Sequence, residues 1–415
     1  MRKIAATVSR AAYPLSVFQY RDYAFVWSST TLVGMGTQME VVVLGWLILA
    51  ETESPFLVGA ISAARMSLNI FALLAGVVAD RVPRNRLLAI VEFLMGGFGL
   101  AMLLLIFIGA LVTWHIFLIT VAVGMVRVFQ MPSEQSLVAD TLPDDRIASG
   151  AAFNTLGRNI AMLIAPLVGG VLFKGFGAQG AFTAIACLYF LSGLFALNIR
   201  LTGSVAFVKR EGPERESIFR AVLGGFKYVK GQQVLWGTLV LALIIESSGW
   251  TFHTTLMPVF ARNVLDTDSV GLGLLMFAFG FGAVIGSLGW SMIRNLRHVG
   301  KLMIASVVVW HASILVFSTS ESLYLSMAIV SITGAGFAST QVFILSALLR
   351  TAQFEYRGRV MSLRSLAIYA FALGSLSSGA MAGVWGAPQA AKVIGVTGIV
   401  LVLLLAVLAP KLRRF

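Results

Sequence analysis

The sequence predicts an all-α membrane protein with twelve transmembrane helices in two pseudo-symmetric six-helix bundles. Three observations carry that prediction. The chain of 415 residues is 58% hydrophobic and only 12% charged, where a soluble domain has about a quarter of its residues charged. Apolar stretches of the roughly 20 residues needed to cross a bilayer core recur along the whole chain. One long polar connection, Arg200 to Lys230, falls near the midpoint.

The same composition excludes a soluble enzyme, a disordered chain and a nucleic-acid binder, because so few charges cannot cover a water-soluble surface. A single cysteine, Cys187, excludes a disulfide scaffold, and four scattered histidines (His115, His253, His298, His311) have no zinc-ligand spacing. No cofactor is expected. No G-x-x-x-x-G-K-[ST] loop occurs, so the chain does not draw on ATP through such a site.

In order, the predicted spans are 24–50, 54–78, 87–109, 113–138, 147–173 and 177–199, then 233–261, 270–293, 301–318, 322–349, 358–384 and 388–410. Charged breaks separate them at Asp80–Arg86, Asp140–Arg146, Arg200–Lys230, Arg294–Lys301 and Arg350–Arg359. The first span is too long and too far from Met1 for a cleaved signal peptide and reads as an uncleaved anchor. The domain division is a segment 1–23, a bundle 24–199, a linker 200–232, a bundle 233–410 and a tail 411–415.

Lysine and arginine placement sets the topology. Twenty-five of the 31 bases fall at the termini and in the loops on the N-terminal side, and Lys174, Arg262 and Lys392 fall opposite. Both termini and the linker are therefore expected in the cytoplasm. The net charge of +13 then reports orientation and contact with membrane lipids rather than nucleic acid. Within the linker, Ile218, Phe219, Val222, Leu223, Phe226 and Val229 recur at helical spacing among Arg220, Lys227 and Lys230. That pattern predicts an amphipathic helix on the membrane surface, and Arg10–Tyr23 is read in the same way.

A weak internal repeat supports two halves. Arg146 and Arg357 open the fifth and eleventh spans at an offset of 211, and Gly76 and Gly289 stand at an offset of 213. Six-span repeats about a midplane site are a transporter architecture.

The loop Gly76-Val77-Val78-Ala79-Asp80-Arg81-Val82-Pro83-Arg84-Asn85-Arg86 resembles the G-x-x-x-D-R-x-G-R-R signature of the major facilitator superfamily. Gly76, Asp80, Arg81 and Arg84 match, while Pro83 and Asn85 depart from it. Gly45-Trp46-Leu47, Ala64-Arg65, Arg158 with Ala165–Gly170, Pro258-Val259-Phe260 and Arg357–Ser362 are similar to the branch of enterobactin exporters and macrolide efflux pumps. The resemblance implies alternating access, a gate formed by the signature loop, a bacterial inner membrane and a small-molecule substrate. It leaves the substrate open. In that gate Arg84 is expected to pair with Asp140; the alternative is that these charges only anchor topology. Pro166, Gly169 and Gly170 are expected to serve helix packing against the other half.

Ionisable groups inside spans are costly and are functional candidates. They are Glu40, Arg65, Arg127, Arg158 and Glu246. At 1.5 Å per residue, Glu40 and Arg65 both lie about 15 Å below one surface, level enough to pair, and Arg127 and Arg158 are level with each other near the midplane. Three arginines and one glutamate suit an anionic substrate group; the alternative is helix-to-helix pairing. Glu246 has no base near its expected depth, with Ser247, Ser248, His253 and His311 as its nearest polar neighbours. Glu246, or Glu40 once unpaired, is the expected carrier of a coupling proton; the alternative is a permanently neutral acid. Glu92 and Glu134 are expected near span ends, solvated or bonded to loops, and His311 as a packing residue. Trp27, Trp46, Trp114, Trp236, Trp250 and Trp385 read as an aromatic belt. Gly282 with Gly286, and Gly379 with Gly383, read as packing within the bundle rather than dimerisation, and a monomer is expected.

The leading reading is therefore a proton-driven exporter of a small amphipathic or anionic compound, siderophore-like or drug-like. Its partners are the substrate, protons and lipids. The competing readings are an importer or lipid transporter of the same fold, and a membrane receptor or assembly factor that transports nothing.

Overall fold

The computed structural model describes residues 14–67, 82–200, 218–293 and 297–415. Gly76, Asp80 and Arg81 of the signature loop and the charged cluster 209–216 of the linker lie outside these residues. The described residues contain helices and no strand. Ten helical segments among them are long and apolar enough to cross a membrane. A shorter apolar helix over Pro55–Met66 runs up to the edge of the described residues. These helices are apolar nearly all round, the pattern of segments surrounded by protein and lipid.

By contact the chain divides into two compact units: 1–40 with 68–210, and 41–67 with 211–415. The first unit contains the beginning of α1 (Arg21–Thr52), then α3 (Arg84–Phe107), α4 (Thr113–Arg127), α5 (Gln130–Thr141) and α6 (Ile147–Leu197). Helix α6 has 51 residues and would be about 77 Å long if straight. Gly177 turns it, with a left-handed φ of 65° that a side chain would resist. That bend coincides with the predicted boundary between the fifth and sixth spans. Helices α3 and α6 pack closely: Gly96 lies against the Phe190 ring, Gly99 against Ala186 and Gly193 against the Phe93 ring.

One end of this unit has its own core, in which Val17, Tyr23, Val26, Leu88, Leu137, Ala196 and Ile199 are buried. Tyr23 Oη donates to the Gly150 carbonyl at 2.7 Å, and Trp27 Nε1 donates to the Phe153 carbonyl at 2.9 Å. The turn Pro14–Gln19 brings Phe18 onto the Tyr23, Trp27 and Phe153 rings. So the described part of Arg10–Tyr23 packs inward, contrary to the expected surface helix, because its aromatics find partners on α1 and α6. Gly169 faces Met39 of α1 inside the same unit, and Pro166 and Gly170 are buried beside it.

In the second unit α2 (Pro55–Ser67) is followed by α7 (Ile218–Lys230), α8 (Gln233–Ile244), two π-turns (Ile245–Gly249 and Phe252–Leu256) and α9 (Met257–Asn263). Then come α10 (Ser269–Ser291), α11 (Val299–Phe317), α12 (Leu323–Thr351), α13 (Arg357–Leu366), α14 (Ile368–Trp385), α15 (Ala387–Leu408) and α16 (Pro410–Arg414). Asp268 caps α10, accepting from the Val270 and Gly271 amides at 2.9 and 3.1 Å. The expected amphipathic helix is present as α7. It docks on α13, with the Tyr228 ring stacked on Tyr356 at 4.0 Å.

Glycines set the tightest contacts here. Gly282 and Gly286 of α10 lie against the backbone at Ser331 and Ala335 of α12, and Gly334 lies against the Phe279 carbonyl. The expectation of intrachain packing holds for this pair. Gly379 of α14 meets Pro55 and Gly59 of α2, whereas Gly383 faces open space.

A Cβ at Gly334 would overlap the Phe279 carbonyl oxygen, while one at Gly289 would meet nothing within 4 Å. Gly334→Ala is therefore expected to cost about 1–3 kcal/mol by overpacking, lowering Tm in detergent micelles, with Gly289→Ala leaving Tm within error. Equal Tm values for the two variants would contradict this packing.

Candidate functional site

Each unit buries its own set of ionisable side chains. In the first unit Glu40 of α1 is 5% exposed. It accepts from Arg127 Nη2 at 2.9 Å and from Tyr189 Oη at 2.7 Å, and Arg127 also donates to Tyr189 at 3.2 Å. Helices α1, α4 and α6 thus meet in one charged triangle. Arg127 of α4 is thus bonded to a carboxylate of α1, which is the helix-to-helix pairing named above as the alternative to a substrate contact. Arg65 belongs by contact to the other unit.

One step away, Glu134 of α5 accepts from Gln130 Nε2 at 2.6 Å, and Arg158 of α6 stands 4.0 Å from it. Arg158 also donates to Thr155 Oγ1 at 3.4 Å. Its side chain is 42% exposed, against 6% for that of Glu134. Glu92 of α3 has no exposed surface at all. Ser29 Oγ donates to its two carboxyl oxygens at 2.8 and 3.1 Å. Both glutamates therefore depart from the expectation of solvated or loop-bonded groups. The reason is geometric: α3 and α5 turn these residues toward α1 and α6 rather than outward.

In the second unit the expectation for Glu246 is overturned. Arg364 Nη2 donates to Glu246 Oε1 at 3.1 Å and to Gln341 Oε1 at 3.2 Å. The count of bases by side takes Arg364 with the loops although the predicted span 358–384 contains it; α13 and the reach of a long side chain bring it to Glu246. Glu246 sits in the first π-turn, an insertion that shifts the helix register and often marks functional positions. Trp250, one turn beyond Glu246, stacks on Phe337, one turn before Gln341, with ring centroids 4.9 Å apart. An arginine–glutamate–glutamine cluster thus lies next to an aromatic pair. Trp250 is accordingly not a belt residue, whereas Trp114 and Trp385 are exposed at helix ends as expected. His311 packs as predicted: its Nε2 bonds Ser248 Oγ at 2.8 Å and its ring lies over Gly398.

The two sets share a register. Glu246 and Arg364 each lie 206 residues after a counterpart, Glu40 and Arg158 respectively. Glu40 and Glu246 fall in the first span of each predicted half, and Arg158 and Arg364 in the fifth. In the second unit the pair is direct. In the first, Arg127 holds the glutamate and Glu134 accompanies the arginine. Tyr189, Gln341, Arg364 and Phe337 were not singled out by sequence. Only the shared offset of 206 offered a signal for Arg364.

At the signature loop Arg84 Nη1 bonds both Asp140 oxygens, at 2.9 and 2.6 Å, joining α3 to α5 inside the first unit. This is the expected pair. Among the described residues no cluster of His, Cys, Asp and Glu could hold a metal ion.

The transmembrane secretion effector family matches residues 12–414, nearly the whole chain. The chain belongs to that family, a group of major facilitator superfamily transporters. It is 23% identical to the staphyloferrin A transporter of Staphylococcus aureus over 406 residues, 94% of this chain and 96% of that one. It is 26% identical to the multidrug resistance protein MdtG of Enterobacter lignolyticus over 236 residues, 56% of this chain and 53% of that one. Its fold matches a bacterial homolog of the human lysosomal transporter Spinster with a TM-score of 0.72 at 14% identity, covering 95% of this chain and 96% of that one. The chain is thus a multi-pass membrane transporter and not an enzyme.

Removing one partner of a buried ion pair leaves an uncompensated charge and costs about 3–5 kcal/mol. Arg364→Ala is expected to lose that much stability, and adding Glu246→Gln to recover part of it. A double-mutant cycle on denaturation in micelles reads the coupling directly. Additive effects of the two substitutions would contradict the pairing.

Proposed function

We propose that this transporter exports a small amphipathic or anionic compound, siderophore-like or drug-like, by alternating access driven by proton entry. The observation that carries the reading is the Arg364–Glu246–Gln341 cluster beside the Trp250–Phe337 stack. A guanidinium offers two parallel donors to a carboxylate or catecholate, and the stacked rings give an apolar or aromatic portion of the substrate a flat surface. An incoming anion would displace Glu246 from Arg364. The family relationship to a staphyloferrin A transporter agrees with such a substrate. In this reading Glu40, Arg127 and Arg158 of the first unit are the counterpart of this cluster, and Arg65 is a further candidate contact for the anion.

This arrangement argues about where the proton does not sit. A proton on Glu246 would release Arg364 for an anion, so proton and anion would bind together and travel in the same direction. Exchange of substrate for proton needs the two to ride in different half-cycles. The coupling proton of an exporter therefore belongs elsewhere than on Glu246, and Glu40 is held in the same way by Arg127 and Tyr189. The co-binding logic of Glu246 and Arg364 is also what favours the second reading, uptake of an anion together with a proton.

The architecture proposed with this mechanism is twelve crossings in two six-helix halves. The bend at Gly177 divides the 51-residue helix, which at about 77 Å is more than twice the thickness of a bilayer core. Pro55–Ser67 begins the remaining crossing. In this reading both termini lie in the cytoplasm of a bacterial inner membrane, and the protein acts as a monomer. The loop Gly76–Arg86 works as the gate, anchored by the Arg84–Asp140 pair, and the Pro166–Gly170 segment provides close helix packing.

The test uses inside-out membrane vesicles acidified within, with staphyloferrin A and a lipophilic cationic dye as probes. Uptake of a probe accompanied by collapse of the gradient, both lost in Arg364→Ala, is the expected result. Uptake that requires the opposite gradient would establish the co-transport reading. Uptake indifferent to the gradient, or no uptake of either probe, would overturn the proposal.

A further inference from the structure

One buried carboxyl has no cation within ion-pair distance among the described residues. Glu92 is sealed between α1, α3 and α6, and its hydrogen-bond partners are serines. Ser29 Oγ donates to both Glu92 oxygens. It also lies 3.2 Å from Ser192 Oγ, which donates to the Ser29 carbonyl at 2.8 Å. Two hydroxyls, one carboxyl and one carbonyl thus close on one another at hydrogen-bond spacing. Among the described residues no cluster of His, Cys, Asp and Glu that could hold a metal ion includes Glu92, whereas a proton fits between oxygens at this spacing. With a proton on Glu92, its O–H turns to a serine oxygen, Ser192 donates to the carbonyl and Ser29 donates to the other carboxyl oxygen. Every donor then has an acceptor. Without it, an unmatched negative charge would stand in an apolar helix core, which is strongly disfavoured.

The surroundings supply a path. Among the described residues, Glu134 of α5 is the charged group that acts on Glu92, like charge on like charge. Beyond Glu134 stands Arg158 of α6, the most exposed member of the buried set. Helices α1 and α6 present Ser29 and Ser192 at the carboxyl itself. A proton arriving at the Arg158 side reaches Glu134 first and Glu92 next. A proton on either carboxyl removes the repulsion between the two, and on Glu92 it neutralises the group that has no cation while Glu134 keeps its charge toward Arg158.

We infer that Glu92, ringed by Ser29 and Ser192 and reached through Glu134, is the site in the first unit that takes up and releases the coupling proton. A proton adds to a Glu92 oxygen on one side of the cycle and departs to water on the other, with no other bond made or broken. The inference rests on the proton-driven reading above. It places the proton on a group other than Glu246, whose protonation would favour binding of proton and anion together.

The test is infrared difference spectroscopy of the purified protein in lipid vesicles, between acid and alkaline buffer, with no substrate present. The wild type is expected to show a carboxylic-acid C=O band in acid that disappears in alkali. Glu92→Gln should lack it. Ser192→Ala, which removes a hydrogen-bond partner from the ring, should keep the band and move its midpoint to a different pH. The other 17 acidic side chains of the 18 titrate in both proteins, so the band is read as the wild type minus Glu92→Gln difference; no titrating band in that difference would overturn the inference. So would a Glu92 band present at both extremes, which would mark a permanently neutral acid. Should Glu92→Gln fail to fold, an unmoved midpoint in Ser192→Ala would overturn it equally. If wild-type transport ignores the proton gradient while the band still titrates and vanishes in Glu92→Gln, the coupled-export reading fails and the protonation site stands.

Discussion

A charge buried among apolar helices must be matched or neutralised, and the interior of this transporter is arranged around that constraint. Arg127 is held against Glu40 and Tyr189, Arg364 against Glu246 and Gln341, and Arg158 faces Glu134. Each match ties together helices distant in sequence. Glu40 joins α1 to α4 and α6, and Glu246 joins the π-turn after α8 to α13. The glycine contacts bring the backbones of α3 and α6, and of α10 and α12, close together.

The matched pairs are also what a substrate can rearrange. A guanidinium bonded to one carboxylate can be taken over by another at little cost, because the interaction lost and the interaction gained are of one kind. Arg364 meets this condition beside an aromatic surface. Glu92 has hydroxyls in place of a cation, so on the inference above it exchanges a proton rather than a partner. The common offset of 206 for Glu40 with Glu246 and for Arg158 with Arg364 suggests how such a division arises. In the second unit the glutamate and arginine of this offset are bonded directly, and in the first each has another partner, Arg127 and Glu134 respectively.

Much of the fold was legible because membrane spans leave a strong one-dimensional signal. Helix limits, the bend at Gly177 between the predicted fifth and sixth spans, the amphipathic helix Ile218–Lys230 and the Arg84–Asp140 pair could all be read from hydropathy, breaks and charge. Partnerships were less legible. Depth arithmetic places a residue along a helix axis but not around it, so Glu92 and Glu134 were assigned to solvent although their helices face them inward. It also ignores the reach of a long side chain, which is why Arg364 was counted with the loops and Glu246 left without a base. Tyr189 and Phe337 sat unnoticed among other aromatics because an apolar span carries no polarity pattern to set them apart.

The central claim is that an anionic substrate takes Arg364 from Glu246 while lying against Trp250. Trp250 fluorescence, obtained as the difference between the wild type and Trp250→Phe during titration with staphyloferrin A in micelles, tests it most directly. A saturable change that disappears in Arg364→Ala is the predicted result. Binding detected by calorimetry with no change in the Trp250 signal, or a signal unaffected by Arg364→Ala, would contradict it.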